Sequence, residues 1–315
     1  MKHIKQWSIS SLLILVFTVV LPVAAHDRDG YSQLVVFGDS LSDPGNLFAL
    51  TGEVSHVPYQ LIPSAPYDFG GMHFTNGQTW IEELAKDLHL SAGPAFRAHS
   101  HFTNYAVGGA RARAVGFLDL TTQVSTYLRQ RNTQGKDKKM VVLFIGGNDV
   151  RDAIESLAMD PTGQLSVGIL TEAITSFNNN LIALISSGEN EFLIANAPDL
   201  ALVPAIRYLG PQAQAAAHFF SQQFNQALEA SVNAMVTAFP ITVHKMDVFS
   251  FLQQVAADPQ SFDLTVVDTT CITPGVIIHA VCRKPDNYLF WDGVHPTHRG
   301  HEILAKYARQ LLKQP

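Results

Sequence analysis

The chain has 315 residues, of which 47% are hydrophobic and 15% charged, with a formal net charge of −6. That balance supplies enough apolar material for a sizeable core and too little charge for long disordered tracts. An acidic chain without a basic cluster is a poor fit to nucleic acid or to tight electrostatic attachment to anionic membranes, so any transient membrane or micelle contact is expected from apolar loops.

Residues 1–25 stand apart. Lys2 and Lys5 precede the apolar run "SLLILVFTVVLP", and Val23 and Ala25 have the spacing of small residues that a signal peptidase reads. The expectation is a secretory signal cleaved after Ala25; the apolar run is short for the alternative, a retained bilayer anchor. No later segment is long and apolar enough to span a membrane. With no internal repeat and no linker, residues 26–315 read as one domain, secreted to the periplasm or the medium.

In chain order, "LVVFG" (34–38) reads as a buried strand that stops on Gly38, Asp39 and Ser40, with Ser42, Asp43, Pro44, Gly45 and Asn46 behind. Residues 51–76 lack periodicity and are rich in Pro, Gly, Tyr and Phe, which predicts a long functional loop or irregular insertion. "TWIEELAKDLHL" carries a capping box, Thr79 with Glu82, ahead of the stripe Ile81, Leu84, Ala85 and Leu88. Further strands are expected at 102–107, 141–147, 191–197 and 241–246. Helices are expected at 170–188, at 212–239 through Phe220, Phe224, Leu228 and Val232, and at 297–313 with Thr297 as N-cap. Strands alternating with helices predict an α/β fold whose parallel sheet is covered on both faces. Cys271 and Cys282 fit one disulfide in an exported protein, two free thiols being the alternative; no pattern of paired cysteines points to a metal.

In open parallel sheets ligands sit beyond the carboxyl ends of the strands, and four polar pieces are placed to reach that region. Gly38 permits a tight turn from which Ser40 can project; Ser and Asp there also serve as helix caps. "NYAVGGARA" (104–112) offers Gly108 and Gly109, where backbone can approach a ligand or simply turn. "FIGGNDV" ends a strand on Asn148, whose amide can donate to a developing oxyanion or form an Asx-turn. In "FWDGVHPTHRGH" Asp292 lies three residues before His295, a spacing in a loop that can aim the carboxylate at the imidazole and leave the other ring nitrogen as a base. A metal held by His295, His298 and His301 would require convergence from loop and helix.

Together "FGDSLSDPGN", "NYAVGGA", "GGND" and "DGVHPT" resemble the GDSL lipases and esterases of the SGNH hydrolase superfamily. Weaker similarity runs through "GMHFTNGQTWIEELA", "NAPDL", "FNQAL" and the stretch from "DVFSFLQQV" to "DTTC". The resemblance implies a three-layer α/β/α, flavodoxin-like fold with five parallel strands. In the order 2-1-3-4-5 the first and third strands would be neighbours, bringing Ser40 beside Asn148. It also implies a catalytic Ser40, His295 and Asp292, an oxyanion hole from the Ser40 and Gly109 N–H groups and the Asn148 side chain, and no cofactor or metal. Asp39, Asp43 and Asp149 are expected to brace loops. The secreted form and the cysteine-bearing region before Asp292 resemble the bacterial lysophospholipase A, phospholipase A and glycerophospholipid acyltransferase branch, so a lysophospholipid or other lipid ester is the expected substrate. A carbohydrate O-acetylesterase is the alternative, and a non-catalytic ligand-binding protein the reading from another class. Residues 57–74 and the loop "ITPGVIIHAV" are expected either to form an acyl-chain wall or lid, the loop because it immediately precedes Asp292 and His295, or, for Ile277, Ile278 and Val281, to pack beneath the disulfide.

Overall fold

The computed structural model describes residues 30–62, 67, 70–98, 100–131 and 138–313; the expected signal segment lies outside them. Strands β1 (Gln33–Gly38), β2 (Lys139–Phe144), β3 (Glu191–Ala195) and β4 (Thr242–Met246) form a parallel sheet in that order. Their side chains alternate between two cores. Leu34 and Val36 pack with Trp80, Ile81, Leu84, Leu304 and Ala308 on one face. Val35 and Phe37 pack with Leu120, Val124, Val150, Phe177 and Phe224 on the other. Burial on both faces explains why the strands read as nearly continuous apolar runs.

The expected strand at 102–107 is not a regular strand, so the sheet has four strands rather than five. The segment does lie along the free edge of β1. Val36 N–H donates to Thr103 O, Tyr105 N–H to Val36 O, and Val107 N–H to Gly38 O. The pairing is a single bridge, Val36 with Asn104, and the Asn104 side chain ties the segment to neighbouring loops: its Nδ2 donates to Ser42 O and Ala92 O, and its Oδ1 accepts from Ala106 N–H. The spatial order is therefore 102–107, β1, β2, β3, β4, which keeps β1 beside β2 as expected.

Helices α2 (Trp80–Asp87) and α9 (His298–Leu312) cover one face. Helices α3 (Leu120–Gln130), α4 (Gly147–Ser156), α5 (Gln164–Ser186) and α7 (Pro211–Ala238) cover the other. Short α1 (Asn46–Thr51) and α6 (Pro204–Arg207), and α8 (Val248–Ala257), complete the helices of the described residues. The predicted caps form: Thr79 N–H donates to Glu82 Oε2 at 2.9 Å, and Gly300 N–H to Thr297 Oγ1 at 3.1 Å. A second small pairing, β5 (Val266–Thr270) with β6 (Tyr288–Phe290), had no sequence signal, because β5 is short, polar at one end and half-exposed.

Cys271 and Cys282 are disulfide-bonded and pack with Tyr67, Ile272 and Trp291. Val281 packs against this cluster as expected, whereas Ile277 and Ile278 are 67% and 75% exposed and do not. Among the described residues no helix is long and apolar enough to cross a membrane.

Candidate active site

Gly38 and Phe144 are register partners, so β1 and β2 end side by side and release the Ser40 turn and the Asn148 turn at one edge of the crevice. Beyond β2 the chain bends at Gly146, with φ +119°, where a Cβ would strike Phe224 at 2.2 Å; only glycine fits. The polar cluster behind Ser40 braces the turns around it. Asp43 accepts from the N–H groups of Gly45, Asn46, Leu47 and Gly108, tying the serine loop to the glycine loop. Asp149 accepts from the N–H groups of Ala112 and Arg113 and from Arg113 Nε, tying the glycine loop to α4. Asp39 accepts from Leu41 N–H. Burial pushes the carboxyls of Asp39 and Asp43 up to about 6, although backbone donors favour both anions. All three aspartates take the bracing role expected of them.

From the far end of the chain, His295 places Nε2 2.8 Å from Ser40 Oγ and Nδ1 2.7 Å from Asp292 Oδ2. Asp292 is fully buried, and its Oδ1 accepts from the N–H groups of Val294 and His295 at 2.8 and 2.7 Å. The carboxylate is thus oriented by its own loop and then orients the ring. In this arrangement the imidazole can take the hydroxyl proton while the carboxylate stabilises the resulting cation.

The oxyanion donors foreseen from the sequence line the same cleft as Ser40 and His295. Asn148 Nδ2 donates one hydrogen to Ala110 O at 2.9 Å, which fixes the amide and leaves its second N–H. Among the described residues the Ser40 and Gly109 N–H groups make no backbone hydrogen bond. The cleft holds about 780 Å³. Its inner wall is apolar: Val248, Phe251, Leu252 and Val255 from α8, Phe290 from β6, and Ile303 and Leu304 from α9. From the irregular insertion Ile62 and Phe74 contribute, while no residue of the disulfide loop does. Of the roles open to that loop, a wall of the cleft is the one the structure does not form.

Several residues of the site had no individual signal in the sequence. Tyr67 is buried and donates to Asp292 Oδ2 at 3.3 Å. Burial and the neighbouring Asp292 push its phenol pKa up, so it stays a donor. Phe74 sits 5.0 Å from the His295 ring, centroid to centroid, and its ring occupies the space a Cβ on Gly108 would need, at 2.3 Å. Trp80 donates from its backbone to His301 Nδ1 and from Nε1 to Ser42 Oγ. Burial holds His301 well below its usual pKa, as a neutral acceptor. The stretch "GMHFTNGQTW" thus clamps the serine loop to α9, and its family resemblance was the one hint of this. His298 faces Glu83 and Glu302, so the three histidines have separate partners.

A family model for GDSL-like lipase/acylhydrolase matches residues 34–308. The chain belongs to the GDSL lipase/acylhydrolase family. It is accordingly a carboxylic ester hydrolase. It is 25% identical to a phosphatidylcholine-sterol acyltransferase of Aeromonas hydrophila, with 98% of this chain and 97% of that protein covered. It is 26% identical to a GDSL esterase/lipase of Arabidopsis thaliana, with 90% and 89% covered. Its fold is similar to that of an acetylxylan esterase from Geobacillus stearothermophilus, with a TM-score of 0.50 at 14% identity, over 91% of this chain and 97% of that one.

Proposed function

We propose that this GDSL enzyme hydrolyses the acyl ester of lysophospholipids and related lipids through an acyl-enzyme on Ser40. The apolar inner wall of the cleft, running from Ser40 into α8, β6 and α9, carries this reading. An acetyl group would leave most of that wall uncovered, whereas a fatty acyl chain buries it at about 25 cal/mol per Å². The similarity over nearly the whole chain to a phosphatidylcholine-sterol acyltransferase agrees with a lipid substrate.

His295 removes the Ser40 proton as Oγ attacks the ester carbonyl carbon. Asp292 holds the ring and stabilises its cation. The carbonyl oxygen, now anionic, receives N–H from Ser40, Gly109 and Asn148; one such donor is worth about 3–4 kcal/mol of barrier. The carbon–oxygen bond to the lipid alcohol breaks, and His295 returns its proton to that alcohol. Water, deprotonated by His295, then attacks the acyl-enzyme, frees the fatty acid and restores Ser40. A second alcohol in place of water would make the same centre an acyltransferase. We place the reaction outside the cytoplasm, in a domain spanning 26–315; the signal-like segment 1–25 and the disulfide support this.

The test is product release by the purified enzyme from two substrates. Fatty acid from lysophosphatidylcholine, at a kcat/KM well above that for acetate from acetylated xylan, is the expected result. Preference for acetate release would contradict the lipid reading.

A further inference from the structure

Helix α4 does more than deliver Asn148. Its next turns place Arg151 and Glu155 on the same stripe, and both line the cleft. At 1.5 Å rise per residue, Arg151 lies about 4–5 Å along the axis beyond Asn148, and Glu155 about 10 Å. Among the described residues lining the cleft, Arg151 is the sole guanidinium or ammonium.

Its charge lies within electrostatic range of buried Asp39 but has no close, aligned carboxylate partner. Arg151 Nε is buried without an aligned hydrogen bond, and its contacts with Glu155 and Asp152 are long, at 3.5 and 4.0 Å. The Asp152 carboxylate is taken by Arg111 and Arg113, at 2.6 Å from Arg111 Nε and closer still from Arg113 Nη2. Glu155 is 65% exposed in its side chain, so its i,i+4 pairing with Arg151 is weak. A structural arginine of this protein looks different: Arg113 is nearly buried and engages both Asp149 and Asp152.

We propose that Arg151 and Glu155 form a subsite for a zwitterionic phospholipid head group, Arg151 taking the phosphate and Glu155 the ammonium beyond it. This rests on the lipid reading above. The order of the stripe carries it. Moving away from the oxyanion donor the helix presents a cation and then an anion; moving away from the ester carbonyl the lipid presents a phosphate and then an ammonium. Arg matches phosphate through a planar fork of donors, and binding replaces a weak side-chain pair by two intermolecular ones. Apolar lining for the acyl chain is available on α8, β6 and α9, elements other than the one that carries Arg151 and Glu155.

The experiment compares kcat/KM for lysophosphatidylcholine, lysophosphatidylglycerol and a monoacylglycerol with one common acyl chain. In Arg151→Gln the ratio of either phospholipid to the monoacylglycerol is expected to fall about tenfold or more, the usual scale for a charge-assisted contact. Arg151→Lys keeps the charge without the fork and is expected to lose less. Glu155→Gln is expected to lower the choline-to-glycerol head-group ratio about threefold or more, the scale of a partly exposed charge contact. Equal loss on all three substrates in Arg151→Gln would overturn the phosphate assignment, and an unmoved head-group ratio in Glu155→Gln the ammonium assignment. A parent enzyme that cleaves none of the three lipids would instead refute the lipid reading itself.

Discussion

Asp292 spends one carboxylate oxygen on its own loop and the other on His295 Nδ1, so its charge and its geometry act together. Asp292→Asn keeps the size and removes the charge, and an amide nitrogen facing Nδ1 selects the wrong tautomer. We expect kcat to fall about 10³–10⁴-fold with little change in KM, the scale seen for that substitution in a serine triad. An unchanged kcat in a correctly folded variant would remove Asp292 from the mechanism. At this scale the sequence was most legible. Ser40, Gly109, Asn148, Asp292 and His295 carry family motifs, and the structure gathers four of them on one cleft, with the fifth, Asp292, buried directly behind His295. Tyr67 and Arg151 were not legible, because a lone tyrosine in an irregular insertion and a lone arginine on a helix have no spacing that singles them out.

Among elements, the turn before α2 and the start of α9 act as one clamp around the serine loop. His73 lies within it, its Nε2 2.8 Å from Glu82 and its Nδ1 2.6 Å from Gly70 O. Burial alone would lower its pKa; Glu82, Gly70 O and the more distant Asp43 outweigh that and raise it above 6.5. A histidine that holds its proton more tightly when folded stabilises the fold below its unfolded pKa and loses that stabilisation as pH rises through the folded value. His301, neutral when folded, contributes with the opposite sign as its unfolded form loses its proton around 6.5, and Asp39 and Asp43 titrate at about 6, so the His73 pair is read from the difference between parent and variant. From pH 6.5 upward the melting temperature of the parent is expected to decline relative to that of His73→Gln, so that the gap between them narrows. Parallel curves would show that the ion pair contributes nothing. The helices with long apolar stripes, α2, α5, α7 and α9, were legible from periodicity. Short α1 and α6 were not, and neither were α3, α4 and α8, whose patterns are broken by polar residues that serve the core or the site, such as buried Gln123 and Asp149.

For the whole molecule, parallel β-structure buried on both faces was legible because apolar strands alternate with amphipathic helices. The fifth strand is reduced to an isolated bridge of Asn104 with Val36, on a segment that three backbone hydrogen bonds still hold along the edge of β1. The cleft itself could not be read: its walls come from the irregular insertion, α4, α6, α7, α8, β6 and α9, and no local pattern announces a surface assembled from segments so far apart. What the assembly achieves is one serine hydroxyl within hydrogen-bond reach of His295 on a largely apolar cleft that Gly109 and Asn148 also line. The most direct test is a fluorophosphonate with peptide mapping by mass spectrometry, run on the parent enzyme and on Ser40→Ala. The adduct is expected on the peptide carrying Ser40, with no labelling and no p-nitrophenyl ester turnover above background in the variant. Labelling at a different residue, or undiminished turnover in Ser40→Ala, would contradict the account.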